Sequence, residues 1–192
     1  MIIQSSIKNS IKVKEFILKD NELISNIENV VNLCIDTYNK KGKIMLCGNG
    51  GSASDAQHIS AELTGRFYYD RGPLNSIALH TDTSYLTAVS NDYSFDNIYS
   101  RLVKGIGYEN DILIGLSTSG KSKNIYNAFI MAKKMGIKTI LMTGNNKNCN
   151  ICKYSDIILN IPSIDTPRIQ ESHIMIGHIL CENIEKEIFP NG

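Results

Sequence analysis

Several things are missing from this sequence, and each absence removes a class of function. No apolar run approaches the ~18–20 residues that span a bilayer, so a transmembrane helix is not expected. No Lys/Arg-rich run occurs, and 20 Lys+Arg nearly balance 19 Asp+Glu for a net charge of +1. That argues against a nucleic-acid surface. The opening MIIQSSIKNSIKVKEF has no uninterrupted apolar stretch of the signal-peptide kind, so a cytoplasmic location is expected. At 192 residues the chain is long enough for one sizeable core and short for two domains. The cysteines are odd in number (Cys34, Cys47, Cys149, Cys152 and Cys181). Without an export signal they are expected as reduced thiols. Cys149 and Cys152 form a C-x-x-C, but no second pair accompanies it, which speaks against a metal or redox role.

What is present is a regular alternation. Residues 4–18 and 22–40 read as two helices. In the second, Leu23, Ile27, Val30, Cys34 and Tyr38 recur at helical spacing, with Asp20 or Asn21 as the cap. From residue 43 onward, short apolar strands at 44–47, 76–80, 111–116, 137–142 and 156–161 alternate with helical stretches at 53–65, 83–90, 95–105, 122–135 and 168–189. Such alternation predicts an α/β fold, a parallel sheet covered by helices on both faces. Ligands of such sheets bind outside the carboxyl ends of the strands.

The most informative stretch is 44–63, IMLCGNGGSASDAQHISAEL. A buried strand runs into a turn of Gly48, Asn49, Gly50 and Gly51, and then into a helix that Ser52 or Ser54 can cap. The N–H groups at a helix start suit an anionic or hydroxyl-rich ligand. Along that helix Asp55, His58 and Glu62 share one face. A His and a Glu four residues apart can reach one metal ion or one substrate atom. Residues 48–53 also fit the dinucleotide pattern G-x-G-x-x-A. The acidic residue that pattern needs is misplaced, however. Asp70 lies in a turn before the next strand, and Asp82 lies too far along.

After the third strand comes Ser117-Thr118-Ser119-Gly120-Lys121-Ser122. Its hydroxyls and a helix start make an anion cradle. It lacks the G-x-x-x-x-G-K of a P-loop, so a small phosphorylated metabolite fits better than a nucleoside triphosphate. In the last helix, Ile174–Cys181 reads IMIGHILC, apolar on nearly every side, which implies burial all round. His178 is its one residue that ionises near neutral pH. Gln170 precedes it by two turns, ~12 Å along the axis and about 80° around it. The two could share a metal only if both side chains converge, or if they come from different subunits. His80 and His173 read as structural.

Four separated motifs, GNGGSASDAQHISAELTGR, SNDYSFDNIYSR, GLSTSGKSKN and TPRIQESHIMIGHILCENIEKEIF, together resemble the sugar isomerase (SIS) family over nearly the whole chain. Within it they are similar to the branch that isomerises sedoheptulose 7-phosphate. The resemblance implies a flavodoxin-like three-layer α/β/α sandwich with a five-stranded parallel sheet. It implies a single domain, 1–192, whose N-terminal helices (1–42) serve packing and oligomerisation, and a homotetramer with active sites at subunit interfaces. It implies one zinc ion per subunit held by His58, Glu62, Gln170 and His178. Substrate would be bound by Asn49, Gly50, Gly51, Glu62, Asn91, Asp92, Ser117, Thr118, Ser119, Ser122 and Gln170. Glu62 would act as base and His178 as acid, through an enediol. The product would enter lipopolysaccharide, capsule or another surface glycan. Where some members carry an acidic residue just before Arg-Ile-Gln, this chain has Pro167.

Two rival readings follow from the same resemblance. One is a non-catalytic SIS protein that binds a replication-initiation partner, but such proteins lack the Glu and His of the isomerase pair, and this chain has both. The other is an isomerase of a pentose or hexose phosphate, which usually carries a longer chain.

Overall fold

The computed structural model describes residues 1–146 and 149–190. Two helices, α1 (Ile2–Lys19) and α2 (Asn21–Asn39), precede five strands and five more helices. The strands are β1 (Ile44–Gly48), β2 (Ser76–Ala78), β3 (Ile112–Ser117), β4 (Lys138–Thr143) and β5 (Ile157–Asn160). The later helices are α3 (Gly51–Thr64), α4 (Thr83–Asp92), α5 (Ile98–Ile106), α6 (Lys123–Lys134) and α7 (Thr166–Ile188). Every strand pair is parallel, in the order β2-β1-β3-β4-β5. This is the doubly wound flavodoxin-like order. Each expected strand and helix is found, with ends shifted by a few residues and a 3-10 turn (Phe95–Asn97) where the fifth helix was expected to begin.

Because side chains alternate across a strand, the sheet feeds two cores. Ile44, Leu46, Ile112, Ile114, Leu116 and Ile140 face α2, α3 and α7. Met45, Cys47, Leu113 and Leu141 face α5 and α6. The central strands β1 and β3 are buried on both faces, which is why they read as unbroken apolar runs. Asp20 caps α2 by accepting the Leu23 N–H (3.0 Å). Asp82, which a dinucleotide site would need on a ribose, instead caps α4 through the Tyr85 N–H (2.9 Å).

The sequence order reverses between β1 and β3, which lie side by side with Gly48 opposite Leu116. The glycine loop and the serine loop therefore emerge together at the switch point, where such sheets bind ligands. α1 lies on the outside of the sandwich, hydrogen-bonded to α7 through Ser10–Glu171 and Arg168–Ser6. It buries only Val13 and Ile17, while Ile2, Ile3, Ile7 and Ile11 are exposed. Among the described residues no helix is long and apolar enough to cross a membrane.

Candidate active site

The glycine loop ends β1 and opens α3. Gly50 is the residue before the helix and has φ +56°, a conformation that favours glycine. No side chain caps α3. Ser52 or Ser54 was expected as the cap, but the helix begins at Gly51, two residues earlier than expected, so both serines fall inside its first turn. The loop is held from two sides instead. The Tyr99 hydroxyl donates to the Gly48 carbonyl. Asn49 and the buried Asn124 exchange amide hydrogen bonds of 3.0 and 2.8 Å.

Asn124 sits in the first turn of α6, so this exchange also locks the glycine loop to the serine loop. There the Ser117 and Ser122 hydroxyls are 3.0 Å apart and bonded. Ser119 accepts the Lys121 N–H (3.2 Å) and stands exposed, while Thr118 is half-buried. Ser122 precedes α6 without a side-chain capping bond, so its hydroxyl is not consumed as a cap. A loop of this form presents hydroxyl and N–H donors to an anion.

The second group lies further along α3. His58 Nε2 and Glu62 Oε1 are 3.1 Å apart. α7 runs alongside, and at Gly177 it comes so close that a Cβ would stand 2.5 Å from the Ile59 side chain. This close approach brings the His178 ring to 5.0 Å from the His58 ring, edge to face. Ligand atoms of His58, Glu62 and His178 all lie within 4.8 Å of one another. Two imidazoles and a carboxylate at this spacing are a donor set that suits zinc. One turn before His58, burial holds the Asp55 carboxyl above its usual pKa, with the His58 charge opposing. Its Oδ2 is buried without a hydrogen-bond partner among the described residues.

Gln170 lies elsewhere. Its amide packs against Gly51, where a Cβ would be 2.5 Å from Nε2. That point is seven residues, ~10 Å of helix, before His58. A single chain thus sets Gln170 beside the glycine loop and the two histidines with Glu62. Asn91 and Asp92 lie exposed at the end of α4, bonded to each other (2.9 Å). Among the described residues neither joins the hydrogen bonds of the two loops.

Two expectations need correction. α7 was expected to be buried all round. Ile176, Gly177, Leu180 and Cys181 are buried, but Ile174, Met175 and Ile179 are only half-buried. One chain supplies neighbours for one side of the helix only. The cysteines are also not all reduced. Cys149 and Cys152 form a disulfide, because the 3-10 turn Ile151–Tyr154 brings their Cα atoms to 5.2 Å. Cys149 packs against Gly120 of the serine loop. Cys34, Cys47 and Cys181 are free, with burial pushing each thiol up, Cys181 to about 12. That leaves them poor nucleophiles.

Residues 9–144 match the profile of the SIS domain. The chain belongs to the SIS domain family. A phosphoheptose isomerase of Sulfurimonas denitrificans is 54% identical over 190 residues, 99% of this chain and 97% of that protein. A phosphoheptose isomerase of Clostridium acetobutylicum is 51% identical, covering 97% and 95% of the two chains. Among solved structures, the phosphoheptose isomerase of Neisseria gonorrhoeae superposes with a TM-score of 0.89 at 38% identity, covering 96% and 97%. That of Francisella tularensis gives 0.90 at 36% identity, covering 96% of both. In this SIS domain the sequence had marked the glycine loop, the serine loop and the His58–Glu62 face. It had not marked Asn124, Phe67, Arg71 or Glu185. Glu185 carries a readable signal, since it lies seven residues after His178, on the same face of an apolar helix.

Proposed function

We infer that the chain interconverts sedoheptulose 7-phosphate and D-glycero-D-manno-heptose 7-phosphate, an aldose–ketose isomerisation. One observation carries this: a carboxylate and two imidazoles converge within 4.8 Å on α7 and on the helix that the glycine loop opens, in a chain 54% identical to a phosphoheptose isomerase. The reaction needs a base for a carbon-bound proton and an acid for the oxygens. Glu62 takes the proton from C1 and returns it to C2. His178 gives a proton to the C2 oxygen and takes one from the C1 oxygen, so a cis-enediol forms and collapses. Asn49, Gly50 and Gly51 bind the sugar, with Asn91 and Asp92. Ser117, Thr118, Ser119 and Ser122 hold the phosphate, whose binding energy sets C1 and C2 against Glu62.

The donor set fits one zinc ion per subunit, held by His58, Glu62, His178 and Gln170. When bound, zinc supplies a Lewis acid for the substrate's oxygens. Since Gln170 stands ~10 Å of helix from His58 in its own chain, the Gln170 that completes the set comes from a neighbouring subunit. A homotetramer with sites at its interfaces accords with the exposed isoleucines of α1 and the half-buried Ile174, Met175 and Ile179 of α7. The enzyme works in the cytoplasm, and its product is a precursor of nucleotide-activated heptose for lipopolysaccharide, capsule or other surface glycans.

The test is an NMR time course of the purified protein with sedoheptulose 7-phosphate, with and without a chelator. An aldoheptose phosphate anomeric signal that chelator abolishes and zinc restores is the expected result. A signal indifferent to chelator would keep Glu62 and His178 and remove zinc. No conversion by a folded, zinc-loaded tetramer would overturn the assignment.

A further inference from the structure

The helices that carry Glu62 and His178 are joined by one ion pair outside the site. Arg71 Nε and Glu185 Oε1 are 2.8 Å apart, with side chains 2% and 1% exposed. Arg71 closes the end of α3. Its Nη2 donates to the Glu62 carbonyl (3.0 Å) and its Nη1 to the Leu63 carbonyl (2.8 Å). Glu185, on α7, accepts the N–H groups of Phe67 (2.9 Å), Tyr68 (2.6 Å) and Tyr69 (3.1 Å). The Phe67 ring, held by that turn, lies 5.7 Å from the His178 ring, tilted by 40°.

We propose that the Arg71–Glu185 pair, acting through Phe67 and the Glu62 backbone, is the positioning device that fixes Glu62 and His178 in register. The proposal rests on the roles given to those two residues above. Its physical basis is directional. A buried ion pair adds little stability over well-packed apolar groups, because desolvation offsets the attraction. What apolar packing cannot supply is angle. A guanidinium fork aimed at two carbonyls and a carboxylate, and a carboxylate receiving three consecutive N–H groups, allow only one relative placement of the two helices. Lys at position 71 would keep the charge and lose the fork. Leu at position 67 would keep an apolar contact and lose the flat face beside the imidazole. Groups that orient ligands in this way are worth about 10–100-fold in metal affinity or activity.

The experiment compares the wild type with Phe67→Leu, Arg71→Lys and Glu185→Gln, each first checked for folding by thermal melting. Three readings are taken: kcat and KM for sedoheptulose 7-phosphate, zinc affinity by competition with a chromogenic chelator, and a crystal structure of Arg71→Lys. The expected result is kcat lower by about tenfold or more with KM within about twofold, zinc affinity lower by about tenfold, and Phe67 displaced from His178. Folded variants with wild-type kcat and zinc affinity would overturn the proposal, as would a rise in KM alone. If Glu185→Gln does not fold, the other two variants decide. If the wild type turns over no sedoheptulose 7-phosphate, the functional reading fails. Zinc affinity and the crystal structure still decide the positioning, and an unmoved Phe67 ring with unchanged zinc affinity then counts against it.

Discussion

The two halves of the candidate site differ in how far a single chain completes them. In the loops, Asn49 is paired with Asn124, Ser117 with Ser122, and the Gly48 carbonyl with Tyr99. In the cluster on α3 and α7, His58 is 48% exposed and Glu62 26%, and among the described residues the cluster's side-chain hydrogen bonding is the one bond between those two side chains. The loops are braced like a preformed anion site. The cluster holds three donors and faces outward, toward the side where α7 leaves apolar residues half covered. The difference teaches that one chain finishes the bracing of the loops but leaves the donor cluster open on one side.

That contrast can be broken at several points. The largest expected effect is at the cluster. Glu62→Gln should lower kcat by about 10³-fold, the range of a lost general base, while the melting temperature and oligomer size stay unchanged. A folded variant with full turnover would take Glu62 out of the base role.

The scaffold that both halves share should respond to acid. His173 lies on α7 between Gln170 and His178 and is fully buried. Burial pushes its pKa down to about 4, and the Thr143 backbone offsets only part of that. The folded state thus binds fewer protons than the unfolded state, whose histidine titrates near 6.5. Stability is full above pH ~6.5 and falls as the pH drops toward about 4, by about 3 kcal/mol in all. Urea denaturation of the wild type and His173→Leu from pH 7 to 4.5 checks this: the variant should lose much of the slope over that range.

If the assembly completes the cluster, separating the subunits should silence it. Glutamates in place of Ile7 and Ile11 on the exposed face of α1 are expected to yield smaller particles by light scattering. Activity should fall by roughly 100-fold, the lower range for loss of catalytic orientation, with unchanged circular dichroism. Small particles that retain full activity would place the whole site in one chain.

The smallest effect belongs to the loops. Ser119→Ala should raise KM by about tenfold, the worth of one hydrogen bond to a charged group, and leave kcat nearly unchanged. A fall in kcat alone would mean that the cradle serves the transition state instead.

Much of this was legible in the chain, for physical reasons. Strands buried in the middle of a sheet must be apolar, so the strands appeared as short runs, and their alternation with helices gave the parallel sheet. The glycine loop was legible because Gly50 needs a backbone conformation few residues adopt, and the His58–Glu62 face because helical periodicity is local. Ser52 and Ser54 misled because a serine near a helix start reads as a cap wherever the helix begins. Arg71 stayed silent, and Glu185 showed only its place on the His178 face, not its partner. The two are 114 residues apart, and nothing local distinguishes a buried charge with its partner from a solvated one.

The sequence by itself thus determined the elements, their alternation and the chemical character of each loop, since these follow from short-range sterics and periodicity. Only the tertiary structure decided that His178 meets His58 and Glu62 while Gln170 lies against Gly51. Which turn of one helix faces which turn of another depends on how closely the two can approach. Here Gly177 on Ile59 and the Arg71–Glu185 pair set that approach, and no pattern within either helix encodes it.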